Sequence, residues 1–99
     1  MYLDASNTHD VEAIVDCFAV DAIVRDENVI RHGHIHIGRW AAETIEKYKF
    51  QFKPLSAHER EAETILSVEV SGSFPGSLVT LDYHFTTAND KIKSLIIDS

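Results

Sequence analysis

Two hydrophobic periods divide the chain. In its first half, Val11, Ile14, Val15 and Phe18 recur at helical spacing, which predicts an amphipathic helix over Asp10–Ala19. Asp10 and Glu12 fall in its first turn, where the partial positive charge of a helix N-terminus favours acids. Asp21-Ala22 interrupts the helix, and Ala22–Asp26 reads as a short strand that ends on two acids, Asp26 and Glu27. Ahead of this, Met1–Ser6 reads as the end of a helix in which Tyr2, Leu3 and Ala5 pack and Asn7-Thr8 stops the run. Asn28–Gly33 reads as a loop. Ile37, Trp40, Ala41, Ile45 and Tyr48 then form the apolar stripe of a second amphipathic helix, Ile35–Tyr48, with Arg39, Glu43, Glu46 and Lys47 turned to water.

From Lys49 onward the period becomes two. Lys49–Glu59 is the least regular run, and Pro54 marks a bulge or an edge within it. Thr64–Ser71 places Leu66, Val68 and Val70 on one face. Gly72–Ser77 is a turn. Leu78–Thr87 alternates Val79, Leu81, Tyr83 and Phe85 against Thr80, Asp82, His84 and Thr86, and Asn89-Asp90 turns the chain into a last strand, Lys91–Asp98. Helices followed by a meander predict an α+β domain in which a curved antiparallel sheet wraps around helices. The part of its concave face left uncovered is a natural small-molecule pocket.

Composition narrows the partners. A chain of 99 residues forms a single domain, spanning 1–99, and 44% hydrophobic with 25% charged residues is the balance of a soluble globular protein. No apolar run approaches the roughly 20 residues of a membrane span, and the first residues lack the basic and apolar regions of a signal peptide. The formal charge is −7 and the nine Lys and Arg are scattered, so nucleic acid and anionic membranes are poor partners. A single cysteine, Cys17, leaves no internal disulfide and fits the reducing cytoplasm, the expected location. Its helical setting reads as a small packing residue, not a nucleophile.

Asp26 is the first candidate for chemistry. A carboxylate at a strand end beside an apolar helix is raised in pKa if it is buried, and a raised carboxylate is a useful general base. Glu27 follows with the opposite side-chain direction expected in a strand, so only one of the two acids should face the pocket. His32, His34 and His36 alternate. On a strand they would present three imidazoles to a zinc ion, but at a loop-to-helix junction helical geometry spreads them, and no metal is expected. His32 is placed near the pocket mouth beside Asp26, Trp40 in the pocket wall, and Tyr48 and His58 as further polar groups.

The pattern Tyr2, Asn7, Asp10-Val11, Ile14, Phe18-Ala19, Asp21-Ala22, Val24, Asp26, then Gly33, Ile37 and Trp40, is similar to the SnoaL-like and ketosteroid-isomerase-like branch of the nuclear transport factor 2 superfamily. Gly72, Phe74–Ser77, Leu81–Phe85, Lys91-Ile92 and Leu95 extend the resemblance over nearly the whole chain. The resemblance implies a cone-shaped α+β barrel with a shortened first helix, probed by a small hydrophobic ligand and assembled as a homodimer. It does not choose among the isomerases, cyclases, dehydratases and binding modules built on that scaffold. In ketosteroid isomerase a strand-end aspartate takes a proton beside a carbonyl, while a tyrosine and a protonated aspartic acid hold the enolate oxygen. The match implies Tyr2 for the tyrosine and Asp26 for the base.

Counting back from Lys91 puts Asp82 on the second oxyanion donor, whereas alternation with the apolar face turns Tyr83 inward; a one-residue slip in the Ala88–Asp90 turn exchanges the two. Asp82 and His84 share the other face, which the resemblance makes a dimer interface. The sequence departs from the isomerase pattern at Glu27, which replaces a proline, and at Phe18 and Ala41, which replace supporting tyrosines. The expected catalytic set is Asp26, Tyr2 and Tyr83, and the expected ligand-binding set is Phe18, His32, Trp40, Tyr48 and Phe85, with no cofactor. The expected function is a small-molecule-binding protein, a cofactor-independent isomerase, cyclase or dehydratase acting on a small apolar carbonyl compound by proton transfer. The alternative is a non-catalytic ligand-binding or dimerisation module.

Overall fold

A computed structural model describes residues 2–98. The elements run α1 (Tyr2–Asn7), α2 (Val11–Asp16), β1 (Phe18–Asp26), β2 (Val29–His32), α3 (Gly33–Tyr48), β3 (Gln51–Arg60), β4 (Glu63–Ser71), β5 (Val79–Ala88) and β6 (Lys91–Asp98). The strands form one six-stranded sheet in the order β2-β1-β6-β5-β4-β3.

This arrangement corrects the expected cone-shaped antiparallel barrel. The sheet is open and not strongly curled: β2 and β3 are its two edges and do not pair with each other. It is also mixed, because β1 runs parallel to β6 while every other neighbouring pair is antiparallel. Side-chain periodicity reports which face of a strand is buried but not its direction or its neighbour, so neither feature was written in the pattern. The edges are poor partners for closure. β2 has only four residues, and β3 carries Pro54 at a register shift between Pro54 and Ser56, which removes a ladder donor and interrupts pairing.

The first half of the chain differs from expectation in register. Asp10 caps α2, its side chain accepting from the Ala13 amide at 3.1 Å, and the helix ends at Asp16. Phe18 keeps the helical spacing from Ile14 yet begins β1, and Asp21-Ala22 lies inside that strand. A register irregularity between Phe18 and Ile23 reconciles the two: an irregular strand segment loses the period of two that would reveal it. The expected loop at Asn28–Gly33 contains β2, joined to β1 by the two-residue turn Glu27-Asn28. Both residues have positive φ, 53° and 63°, the requirement of the tight hairpin turn that matches strand twist.

One face of the sheet and the three helices enclose the core. Ala22 and Val24 of β1, Val68 of β4 and Leu95 of β6 are fully buried, as is Ile37 of α3. Val24, Leu95 and Phe85 form a continuous cross-strand row through β1, β6 and β5. Asp26 lies two residues beyond Val24 and therefore on the same inner side. At the opposite end, Gly72 is required by close approach: a Cβ there would stand 2.5 Å from the Tyr48 carbonyl oxygen. The Ser73 amide donates to that same oxygen at 2.6 Å, which fixes the β4–β5 loop to the end of α3.

Asn7 fastens α1 to β3. Its Nδ2 donates to the Phe52 carbonyl at 3.0 Å and its Oδ1 accepts from the Phe52 amide at 2.7 Å. Tyr2 and Leu3 are each 7% exposed as a result, so Tyr2 is a packed residue and not a frayed one. Asn7→Ala leaves both Phe52 backbone groups without these partners and is expected to cost about 2 kcal/mol in chemical denaturation. A loss below about 0.5 kcal/mol would show that α1 is held by packing alone.

Candidate functional site

A cavity of about 520 Å3 opens between the helices and the inner face of the sheet, within the size range of small-molecule sites. Helix α1 contributes Tyr2 and Ser6. Helix α3 contributes Trp40, Ala41, Thr44 and Tyr48, one face of it over two turns. Phe50 and Phe52 lead in from the start of β3, Phe74-Pro75 of the β4–β5 loop forms a lip, and Val79, Leu81 and Tyr83 extend along β5. The lining is mostly apolar, with Asp26, Glu27 and the hydroxyls of Tyr2, Ser6, Thr44, Tyr48 and Tyr83 among its polar groups.

Asp26 is half-buried, and its Oδ2 accepts a hydrogen bond from Trp40 Nε1 at 3.0 Å. Burial raises its pKa above the ordinary value, and the neighbouring charge of Glu27 adds to the rise. The Trp40 bond, Arg31 and the Glu27 amide oppose it without reversing it. Tyr2 and Tyr83 are lifted well above the usual phenol value, first by burial; the Ser6 hydroxyl beside Tyr2 opposes the rise there without reversing it, Tyr2 adds to the rise at Tyr83, and the charge of Asp26 adds to both. Both phenols are therefore neutral donors at any physiological pH. Their rings stand 6.3 Å apart, centre to centre. The cavity thus holds one carboxylate displaced toward neutrality and two neutral hydroxyls within its electrostatic reach.

Of the residues expected in the site, Asp26, Tyr2, Tyr83, Trp40 and Tyr48 line this cavity. Tyr83 faces it and Asp82 does not. Phe18, Phe85 and His32 do not line it, which corrects their expected placement. Phe18 and Phe85 lie behind the wall and hold Tyr2 edge-on, at ring distances of 5.9 Å and 5.6 Å. His32 is exposed at the start of α3 and makes no capping hydrogen bond. Nor are the three alternating histidines gathered: His34 Nε2 bonds the Phe18 carbonyl at 2.8 Å. Among the described residues, the cluster of metal-ligating type is instead Asp82, His84 and Asp98, on the far side of the sheet. His84 lies 3.6 Å from Glu63 and 3.4 Å from Asp98 there, in a partly exposed ion-pair network.

Glu27 and Ser6 are cavity residues that sequence reasoning missed. Strand alternation excluded Glu27, but its left-handed backbone breaks the alternation and returns the side chain to the cavity mouth. Its Oε1 accepts from the Tyr48 hydroxyl at 3.0 Å. Asn28, between apolar Ile23-Val24 and Val29-Ile30, was the available signal for a two-residue turn. Asp26, Glu27, Trp40, Thr44 and Tyr48 also border a smaller cleft of about 120 Å3, where Arg31, Glu43 and Lys47 supply charge. Asp26 is accordingly reached from an apolar chamber on one side and a charged cleft on the other.

The fold and cavity define a class, a small α+β domain enclosing an apolar chamber with an acid and two phenols converging in it. No family model matches the chain, and no curated protein matches it. Solved structures do. A Sinorhizobium meliloti protein provisionally named a polyketide cyclase is 35% identical, with 98% of this chain and 89% of that one covered and a TM-score of 0.94. A Catenulispora acidiphila protein of ketosteroid-isomerase-like fold, solved with trimethylamine, is 17% identical over 99% of this chain and 81% of that one, with a TM-score of 0.89. The epoxide hydrolase/cyclase-like enzyme SalBIII, linked to pyran ring formation in salinomycin, is 18% identical over 98% and 83%, with a TM-score of 0.84. The last two show the fold alone. The chain belongs to the nuclear transport factor 2-like superfamily, in its SnoaL-like and ketosteroid-isomerase-like branch. No helix among the described residues is long and apolar enough to cross a membrane.

The raised pKa of Asp26 fixes a pH dependence. Protonation favours the folded state, so the contribution of Asp26 to stability is complete below its ordinary value of 3.8 and is lost as pH rises through its higher folded value. Asp26→Asn keeps an acceptor for Trp40 and carries no charge. It is expected to be more stable than the native protein at pH 7, with the difference shrinking as pH falls toward 3.8, measured by urea denaturation across that range. A difference independent of pH would mean that Asp26 is not raised.

Proposed function

We propose that this protein is a cofactor-independent acid–base enzyme, an isomerase or a lyase of the cyclase or dehydratase kind, acting on a small apolar carbonyl compound. The observation that carries this reading is the convergence of Asp26, Tyr2 and Tyr83 on one apolar cavity. A ligand carbonyl placed at the phenols receives hydrogen bonds from groups that stay neutral. The ionised Asp26 carboxylate takes a proton from the adjacent carbon, and the electron pair moves onto the carbonyl oxygen as an enolate. Hydrogen bonds from Tyr2 and Tyr83 strengthen as that charge develops. Protonated Asp26 then returns the proton to another carbon, which gives isomerisation, or to a leaving hydroxyl, which gives dehydration. Attack of the enolate carbon on a second carbonyl carbon of the same molecule gives cyclisation: the π electrons of that carbonyl move onto its oxygen, which takes the proton from Asp26, and the enolate oxygen returns to a carbonyl.

Each residue has a physical reason to serve. Asp26 is held by Trp40, so one oxygen is oriented while the other remains available. Its raised pKa brings the base closer to the operating pH, where proton transfer is most effective. The apolar walls strengthen hydrogen bonding to the enolate, because few other dipoles compete for it. The comparison with the Sinorhizobium meliloti protein supports the same reaction class.

Deuterium exchange at the carbon beside the carbonyl of 1-indanone in heavy water, followed by NMR, tests the proton-transfer step without knowledge of the natural substrate. The native protein is expected to accelerate exchange over buffer. Asp26→Asn is expected to lower that acceleration by roughly 10²- to 10⁴-fold, and Tyr83→Phe by roughly 10²-fold. Equal exchange in the native protein, Asp26→Asn and buffer would contradict proton transfer by Asp26, and retained ligand binding in that case would favour the non-catalytic binding module.

A further inference from the structure

The charge of the large chamber is one-sided. Seven of its lining residues are aromatic, and its two charged residues, Asp26 and Glu27, are both acids. None of the nine Lys and Arg and none of the six His lines it. The face of an aromatic ring carries the negative end of the ring quadrupole, so rings and carboxylates attract the same kind of group, a cation. A basic side chain in the wall would meet that preference from within the protein. Arg31 and Lys47 instead border the smaller cleft alone, where Asp26, Glu27 and Glu43 outnumber them. Lys47 shows that the local field holds a cation: its Nζ stands 5.1 Å from the centre of the Tyr48 ring.

The mouth has the geometry to seat a further cation. Tyr48 and Phe74 stand with ring centres 5.8 Å apart and planes at 87°, two walls of a corner. The Tyr48 hydroxyl donates to Glu27 Oε1 at 3.0 Å, which brings an acid to that corner. The backbone fixes the walls to each other. The Ser73 amide binds the Tyr48 carbonyl, and the absence of a side chain at Gly72 admits both neighbours: a Cβ there would also stand 3.1 Å from Phe74 Cε1. Phe74 precedes Pro75, which restricts its backbone. Both rings are half-buried and Glu27 is exposed. A charge seated here keeps part of its hydration and escapes the full cost of burial.

We infer that the ligand carries an ammonium group, seated at the mouth by Glu27, Tyr48 and Phe74 while its carbonyl lies at Tyr2 and Tyr83. This deepens the reading of the chamber as the site of a carbonyl compound and rests on it. The substrate class becomes an amino-carbonyl compound, apolar where it is enclosed and cationic at the end that faces out. The arrangement also separates two tasks. Glu27 answers the charge of the ligand at the mouth, and Asp26, held by Trp40, is left to take the proton. The formal charge of −7 draws cations toward the protein, which raises the rate at which such a ligand arrives.

Three para-substituted acetophenones test this: the cation 4-acetyl-N,N,N-trimethylanilinium, its neutral isostere 4-tert-butylacetophenone, and the anion 4-acetylbenzoate. The chain has a single tryptophan, and it lies in the cavity wall, so the shift of its one indole N–H resonance during an NMR titration reports occupancy. The native protein is expected to bind the cation about fivefold more tightly than the isostere, and the anion most weakly. Glu27→Gln is expected to lower affinity for the cation about fivefold and for the isostere by less than about twofold. Phe74→Leu keeps an apolar wall without the ring. It is expected to weaken the cation about threefold, with the isostere again within about twofold. Thermal melting checks that both variants fold, and the preference of the native protein decides the inference without either of them. Binding of the isostere or the anion as tightly as the cation, or a Glu27→Gln variant that loses both probes alike or neither, would overturn the inference and leave the chamber a ligand site. Binding of none of the three would overturn both readings. Failure of 1-indanone and of the methyl group of the bound cation to exchange, with the preference for the cation intact, would overturn the proposed chemistry alone.

Discussion

The hydrogen bond from Trp40 to Asp26 is the constraint on which the site depends. It joins the middle of α3 to the end of β1. It also settles a conflict. A carboxylate beside an apolar chamber loses hydration, and burial alone would drive it toward the neutral form. The indole donor restores part of what water supplied, so Asp26 remains a carboxylate that can be ionised, yet one raised above the ordinary range. Tyr2 and Tyr83 are moved in the opposite functional sense. Burial makes their ionisation harder and leaves them as fixed neutral donors.

The chamber surrounding these groups is a consequence of aromatic packing. Tyr83 meets Phe52 at 5.6 Å, and Phe52 stacks on Phe50 at 4.5 Å with nearly parallel planes. Phe18 and Phe85 support Tyr2 from behind. Rings held on several sides keep few rotamers, so the hydroxyls at Tyr2 and Tyr83 are oriented before a ligand arrives. Preorganised donors of this kind are worth more than mobile ones. The turn at Glu27-Asn28 contributes from the other side, turning an acid back to the mouth at the expense of a left-handed backbone.

The strands from Thr64 onward were legible because each buries one face: Leu66, Val68 and Val70 on β4, and Leu81, Tyr83 and Phe85 on β5, alternate without interruption. Alternation also turned Tyr83 inward and Asp82 outward, as the structure has them. Asp26 was legible as an acid at a strand end beside an apolar helix, and from the family resemblance. The rule failed where the backbone departs from a regular strand. The irregularity in β1 made Phe18 read as helical, and the positive φ of Glu27 returned to the cavity a side chain that alternation had sent away. The open, mixed sheet was not legible, because strand direction and order are decided by packing between distant segments. Ser6 carried no signal in the sequence: only the folded surroundings place it on the cavity wall beside Tyr2.

The central claim is that Asp26 is a half-buried carboxylate raised toward the pH at which a general base works. Titration of its side-chain carboxyl carbon by NMR, in protein labelled at aspartate and assigned by comparison with Asp26→Asn, measures this directly. The account predicts a midpoint above 3.8, moving higher still in Trp40→Phe, where the donor that favours the charged form is gone. A midpoint at or below 3.8, or one unmoved by loss of the indole donor, would contradict it.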